Sequence, residues 1–180
     1  LGAAGLMLSG VWPRARPSDS RPPAETRPLR LSFSHTDGGD VGAPAISPDG
    51  KRVAYGARGA DGMPLLWVRD LASDEARALP GTEDASLPFW SPDSRDLGFF
   101  AGNALKRVPA EGGPVQVVTK NGSGFGGAWA PDGTIVFNAN DFGLFRVSAV
   151  PGSTATPLTT RPSGDWSHYW PSFLPDGRRF

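Results

Sequence analysis

Between residues 52 and 159 the hydrophobic positions recur with a period of two rather than 3.6. Arg52-Val53-Ala54-Tyr55 and Thr134-Ile135-Val136-Phe137 alternate as half-buried strands do, with one side chain facing each side of a sheet. Each is followed by a further strand: Leu65–Arg69, with its counterparts Ala104–Val108 and Gly143–Val147. A shorter Thr/Pro/Leu-containing stretch then closes each copy, at Ala76–Leu79, Pro114–Val118 and Thr156–Thr159. No window keeps the i, i+3, i+4, i+7 spacing of a helix over three turns, so the expected class is all-β.

One tetrapeptide punctuates this pattern. Ser47-Pro48-Asp49-Gly50 returns as Ser91-Pro92-Asp93-Ser94, Ala130-Pro131-Asp132-Gly133 and Leu174-Pro175-Asp176-Gly177, with prolines 44, 39 and 44 residues apart. Proline presets φ at the second turn position, the Asp carboxylate accepts from nearby backbone N–H groups, and glycine takes positive φ as the chain re-enters a strand. Ser94 in the glycine position predicts a looser or strained second turn. An apolar or aromatic residue precedes each turn, at Ile46, Trp90, Trp129 and Phe173. A four-strand unit repeating every forty-odd residues is one propeller blade. The expected architecture is thus about three four-stranded blades, near 42–81, 86–119 and 125–160, with the start of a fourth at 169–180.

Composition supports this without adding chemistry. Glycine (24) and proline (19) are abundant, but they recur with the repeat, which argues for turns rather than disorder. The 18 basic and 18 acidic residues balance, so phosphate-driven binding of nucleic acid is excluded as a partner reading. The absence of cysteine excludes disulfides and Cys-based metal centres. His35 and His168 are too far apart in sequence for a His-x-x-x-His face, and no metal or cofactor is expected.

The first 28 residues differ from the rest. Residues 1–12 (LGAAGLMLSGVW) form an uncharged apolar run, read as the remnant of a transmembrane helix or signal segment within a longer protein. Residues 13–28 (PRARPSDSRPPAETRP) hold five prolines and no large apolar side chain, the composition of an extended spacer. Arg14, Arg16, Arg21 and Arg27 flank the apolar run, and the positive-inside rule alone would keep that side cytoplasmic.

Pro88-Phe89-Trp90-Ser91-Pro92-Asp93-Ser94-Arg95 with Leu97-Gly98-Phe99-Phe100, Leu144-Phe145-Arg146-Val147-Ser148 and Trp170–Gly177 resemble the WD40-like, TolB-type β-propeller. The resemblance spans residues 29–180. More narrowly, they resemble the propeller that follows a membrane helix in bacterial serine/threonine protein kinases. That resemblance implies a non-enzymatic recognition or sensor module outside the cytoplasmic membrane, tethered through the N-terminal apolar segment, and it carries over no catalytic residue. The competing expectations are the gating propeller of a prolyl-oligopeptidase-type serine peptidase and a free periplasmic TolB-like scaffold.

Two fragments imitate kinase chemistry. Gly122-Ser123-Gly124-Phe125-Gly126-Gly127 matches G-x-G-x-x-G, and Asp141-Phe142-Gly143 matches the magnesium-binding tripeptide. No strand lysine or His-Arg-Asp loop separates them, so both are read as turn chemistry. No Gly-x-Ser-x-Gly elbow occurs either. His168 is read as a hydrogen-bonding residue at a strand start.

The recognition surface is expected on the loops that join one blade's last strand to the next blade's first: Gly81–Leu87, Lys120–Gly127 and Arg161–His168. The candidate binding residues there are Glu83, Asp84, Lys120, Asn121, Asp165, Trp166 and His168. Their mixed charge with one large aromatic suits a protein, peptide or small polar ligand.

Overall fold

A computed structural model describes residues 42–180 apart from 60, 74, 121, 123, 140–142, 161–167 and 175. The apolar segment 1–12 and the linker 13–28 lie outside the described residues, as do Pro175, Asp141 and Phe142.

Twelve strands and no helix occur among the described residues. The first sheet holds β1 (Ala45–Ile46), β2 (Arg52–Arg58), β3 (Pro64–Asp70) and β4 (Ala76–Leu79). The second holds β5 (Ser86–Trp90), β6 (Asp96–Ala101), β7 (Ala104–Pro109) and β8 (Gln116–Lys120), and the third β9 (Gly127–Trp129), β10 (Thr134–Asn138), β11 (Leu144–Ser148) and β12 (Thr156–Pro157). Each sheet is a four-stranded antiparallel meander in sequence order. The expected strands are all present, although β8 begins two residues later than its Pro114 start and runs on to Lys120. Residues 168–174 and 176–180 form the turn of a fourth copy without a strand. Leu174 accepts from Gly177 N at 2.8 Å and donates to Arg179 O at 2.7 Å.

The motif turns form as their chemistry dictates. In the first, Ser47 Oγ donates to Asp49 Oδ1 (2.5 Å) and accepts from Arg52 N (2.9 Å), while Asp49 Oδ1 accepts from Lys51 N (3.0 Å). Ser91 and Asp93 repeat this with Asp96 N and Arg95 N. Asp132 accepts from Thr134 N, and Asp176 from Arg178 N. The fourth turn residue lies at φ +70° in Gly50, +61° in Ser94, +85° in Gly133 and +64° in Gly177. Ser94 therefore carries the expected strain, a left-handed backbone in a residue with a Cβ.

Strand alternation decides which side chains join which interface. Along β2, Val53, Tyr55 and Ala57 form one cluster while Ala54, between them, packs on the second sheet with Leu66, Val68, Trp90, Leu97 and Phe99. The neighbouring Phe100 points the other way, into a cluster with Phe89, Leu105, Ile135 and Phe137 of the second and third sheets. Phe99, Leu97, Leu105 and Phe137 are fully buried, each worth about 1.5–3 kcal/mol relative to exposure. The sheets thus stack face to face in chain order, as blades do.

An arginine and a tryptophan lock each interface. Arg52 lies over the Trp90 ring at 5.1 Å, pairs with Glu111 at 2.6 Å and bonds Ser94 O. Arg77 joins the same carboxylate at 2.8 Å. At the next interface Arg107 lies 5.4 Å from the Trp129 ring, pairs with Asp96 at 2.9 Å and donates to Ala149 O. Strand pairing shows that Arg107 occupies the position of Val68, and the place of Arg52 is taken by Asp96. Two different strands therefore supply the same stacking cation.

Candidate functional site

Because β1, β5 and β9 run toward the Pro-Asp turns, all the motif turns share one face. The blade-to-blade crossings and the β2–β3, β6–β7 and β10–β11 hairpins share the other. Backbone bonds tie crossings to hairpins there: Asp84 N to Pro64 O (3.0 Å) and Gly122 N to Asn103 O (3.2 Å). The hydroxyl of buried Thr82 accepts from Leu66 N and donates to Leu79 O, and Thr159 accepts from Leu144 N in the same manner.

The glycine run 122–127 is such a crossing. A Cβ on Gly122 would stand 2.5 Å from Leu105 N, one on Gly124 2.0 Å from Asn138 O, and one on Gly127 2.6 Å from the Phe89 ring. Glycine is needed here because the backbone threads between two sheets. That accounts for the kinase-like spelling without a nucleotide.

The expected binding residues that are described, Glu83, Asp84, Lys120 and His168, fall on this face but do not converge. Glu83 and Asp84 are exposed on the first crossing, where Glu83 Oε1 accepts from Gly81 N and Asp84 sits at φ +58°. Lys120 is exposed at the end of β8 rather than in a loop. His168 is half-buried. Its carbonyl accepts from Asn138 Nδ2 (2.6 Å) and its Nδ1 lies 2.9 Å from Thr159 Oγ1. Asn121, Asp165 and Trp166 lie outside the described residues. Among the described residues no three His, Cys, Asp or Glu side chains are placed to hold a metal.

A different set does converge. Five residues before each motif proline stand Ala43, Leu87, Gly126 and Trp170, followed by Pro44, Pro88, Gly127 and Pro171. These eight residues, with Ser172, line a hollow of about 290 Å³ where the innermost strands meet. Leu87, Gly126 and Trp170 all have positive φ, at +50°, +117° and +56°. In Leu87 and Trp170 this costs roughly 1–3 kcal/mol each. Prolines suit this edge because they remove donors that would otherwise recruit another strand. Trp170 is 61% exposed and donates its backbone N–H to Phe125 O; Phe125 and Tyr169, also exposed, meet edge to face at 4.9 Å. Gly126 leaves room for the Trp170 indole, 3.2 Å from where a Cβ would stand. This aromatic group escaped the sequence reading because Tyr169 and Trp170 look like ordinary strand residues. Aligning the four copies column by column would have exposed the substitution of Trp170 for Ala43 and Gly126.

The opposite face carries the turn carboxylates. The Ser47 hydroxyl, then the Lys51 N–H, holds Asp49 below the usual carboxylate range, and Ser91 does the same for Asp93. Asp176 is lowered by the Arg178 N–H and by Arg179.

No protein-family model matches the chain, and no curated protein matches it in sequence. Solved structures do. TolB from Acinetobacter baumannii is 21% identical with a TM-score of 0.57, covering 70% of this chain and 34% of its own. A putative TolB from Agrobacterium tumefaciens is 22% identical with a TM-score of 0.51, covering 66% and 48%. The β-propeller domain of Cps50 (Swd1) from Myceliophteria thermophila is 19% identical with a TM-score of 0.54, covering 78% and 42%. The chain therefore spans about a third to a half of these structures. With three stacked four-stranded meanders and these neighbours, the described residues adopt a TolB-like β-propeller fold.

Proposed function

We propose that the chain is a non-enzymatic recognition module that receives its ligand at the hollow between the innermost strands, on the face of the blade-to-blade crossings. The observation that supports this is the exposed aromatic group Phe125, Tyr169 and Trp170 beside an apolar hollow, with Trp170 and Leu87 held at strained φ. Strain kept at two equivalent positions fits a clamp whose geometry is set before the ligand arrives. The lining offers one side-chain hydroxyl, Ser172, and no charge, which favours an apolar side chain of an extended peptide over a glycan or an anion.

The resemblance to kinase-linked propellers, with the apolar run and proline spacer ahead of the fold, supports placing this module outside the cytoplasmic membrane as the sensor of a membrane-bound serine/threonine kinase. The recognition proposal is tested by selecting dodecapeptides from a random library on the immobilised chain. Selected peptides should lose at least tenfold in affinity on Trp170→Ala and keep it on Arg95→Ala, which lies on the motif-turn face. Equal binding to wild type and Trp170→Ala would reject the hollow as the site.

A further inference from the structure

A second hollow, about 580 Å³, opens at the outer rim between the second and third blades, and the recognition proposal does not use it. Its walls are Val117 and Thr119 of β8 on one side and Phe137 and Phe145 on the other, with Ala155 of the loop before β12. Phe137 and Phe145 lie 6.1 Å apart and continue a row of rings through Phe100 to Phe89, so the floor is anchored in the core. Val117 is 42% exposed in this wall. Gly152 N donates to Val117 O at 3.0 Å, joining the two blades across the hollow.

The first inter-blade boundary shows why the second is open. Pairing places Val115 and Ala155 at equivalent positions, each just before the residue opposite the β7 or β11 arginine. Val115 packs into the first interface, with its Cγ2 3.3 Å from where a Gly81 Cβ would stand; Ala155 leaves that volume empty. The carboxylate of Glu111, which draws Arg52 and Arg77 together across the first boundary, has no counterpart at the second, where Val150 stands 63% exposed.

One charge lines this hollow. Lys120 stands exposed among its lining residues, and no carboxylate among the described residues pairs with it. An apolar hollow within the 300–1,000 Å³ range of small-molecule sites, with one cation and a few hydroxyls, has the lining of an orienting pocket. We infer that this inter-blade hollow binds an aliphatic monocarboxylate, its chain over Phe137 and Phe145 and its carboxylate at Lys120 Nζ.

Calorimetric titration of the full chain with decanoate, decanol and decyltrimethylammonium, each below its micellar concentration, tests this. Decanoate should saturate at one equivalent and bind at least tenfold more tightly than the cationic amphiphile. Lys120→Gln should weaken decanoate tenfold or more and leave decanol within twofold. Ala155→Leu, or Thr154→Tyr on the exposed loop should the first not fold, should weaken both carboxylate and alcohol. Trp170→Ala should change decanoate affinity less than twofold, which separates this site from the peptide hollow. Absence of saturable decanoate binding, equal binding of the cation, or an unaffected Lys120→Gln variant would overturn the assignment.

Discussion

The backbone N–H of Asp49 donates to the hydroxyl of Ser94 at 3.1 Å, joining the motif turn of the first blade to that of the second. Ser94 is the one fourth-position residue that is not glycine, it is buried, and it accepts the strain of φ +61°. The hydroxyl makes an inter-blade bond that a glycine could not.

Removing that hydroxyl should cost more than relaxing the backbone. Ser94→Ala keeps the strained φ and leaves Asp49 N without this acceptor, so a loss of about 1–2 kcal/mol is expected. Ser94→Gly loses the same bond but removes the strain, and should lie within about 1 kcal/mol of wild type. Urea unfolding of both variants checks the order, and equal stabilities would remove the bond from the account.

Acid sensitivity should trace to Ser47 and Ser91. Asp49 and Asp93 have folded pKa values below the ordinary carboxylate value, with the serine hydroxyls as the largest cause. The folded state then binds fewer protons than the unfolded one. The stability gained is complete above the unfolded value of about 4 and is lost as pH falls through the lowered folded values. Ser47→Ala with Ser91→Ala should lower stability at neutral pH and flatten its fall between about pH 4 and 2. Denaturant midpoints across that range measure the slope; an unchanged slope would refute the assignment.

The two arginine pairs should differ in weight. Side chains of Arg107 and Asp96 are 25% and 19% exposed, whereas those of Arg77 and Glu111 are 41% and 76% exposed. Arg107→Ala leaves a largely buried carboxylate alone and should cost about 3 kcal/mol. Arg77→Ala should cost under about 1 kcal/mol. Thermal unfolding that ranks them in the reverse order would contradict this.

Phe89 should tolerate no growth on either side. A Cβ on Gly98 would come within 2.3 Å of its ring and one on Gly127 within 2.6 Å. Both clashes fall at the Cζ–Cε1 end of the ring. Gly98→Ala and Gly127→Ala should each destabilise by about 1–3 kcal/mol, and Phe89→Leu should recover part of the loss in either background. A double variant no better than the single would show that the ring is not the obstacle.

The turns and strands were legible in the sequence because their determinants are local. Proline, aspartate and glycine fix the motif within four residues, and Val53 to Tyr55 or Ile135 to Phe137 alternate on their own. The inter-blade features were not. Whether Arg52 reaches Trp90 or Arg107 reaches Trp129 depends on residues of the next blade, 38 and 22 positions away, and the fit of Trp170 against Gly126 spans 44. Lys120, read as a loop residue, belongs to β8 because the pairing with Ala104 holds it there. His168, read as a residue at a strand start, lies in no strand; it bonds Asn138 of β10 and Thr159, just after β12.

The arginine that stacks on each following tryptophan has a consequence for the order of the repeats. In the first blade it comes from the start of β2, and in the second from β7, with Asp96 standing where the first blade has its cation. A copy of the first blade spliced into second place would bring Val68 where Arg107 stacks and Arg52 where Asp96 stands, and so present its cation from another strand. Modules that look interchangeable in their turns are therefore not interchangeable at their seams. Each seam is keyed to its two flanking units, and the succession of blades is written into those keys.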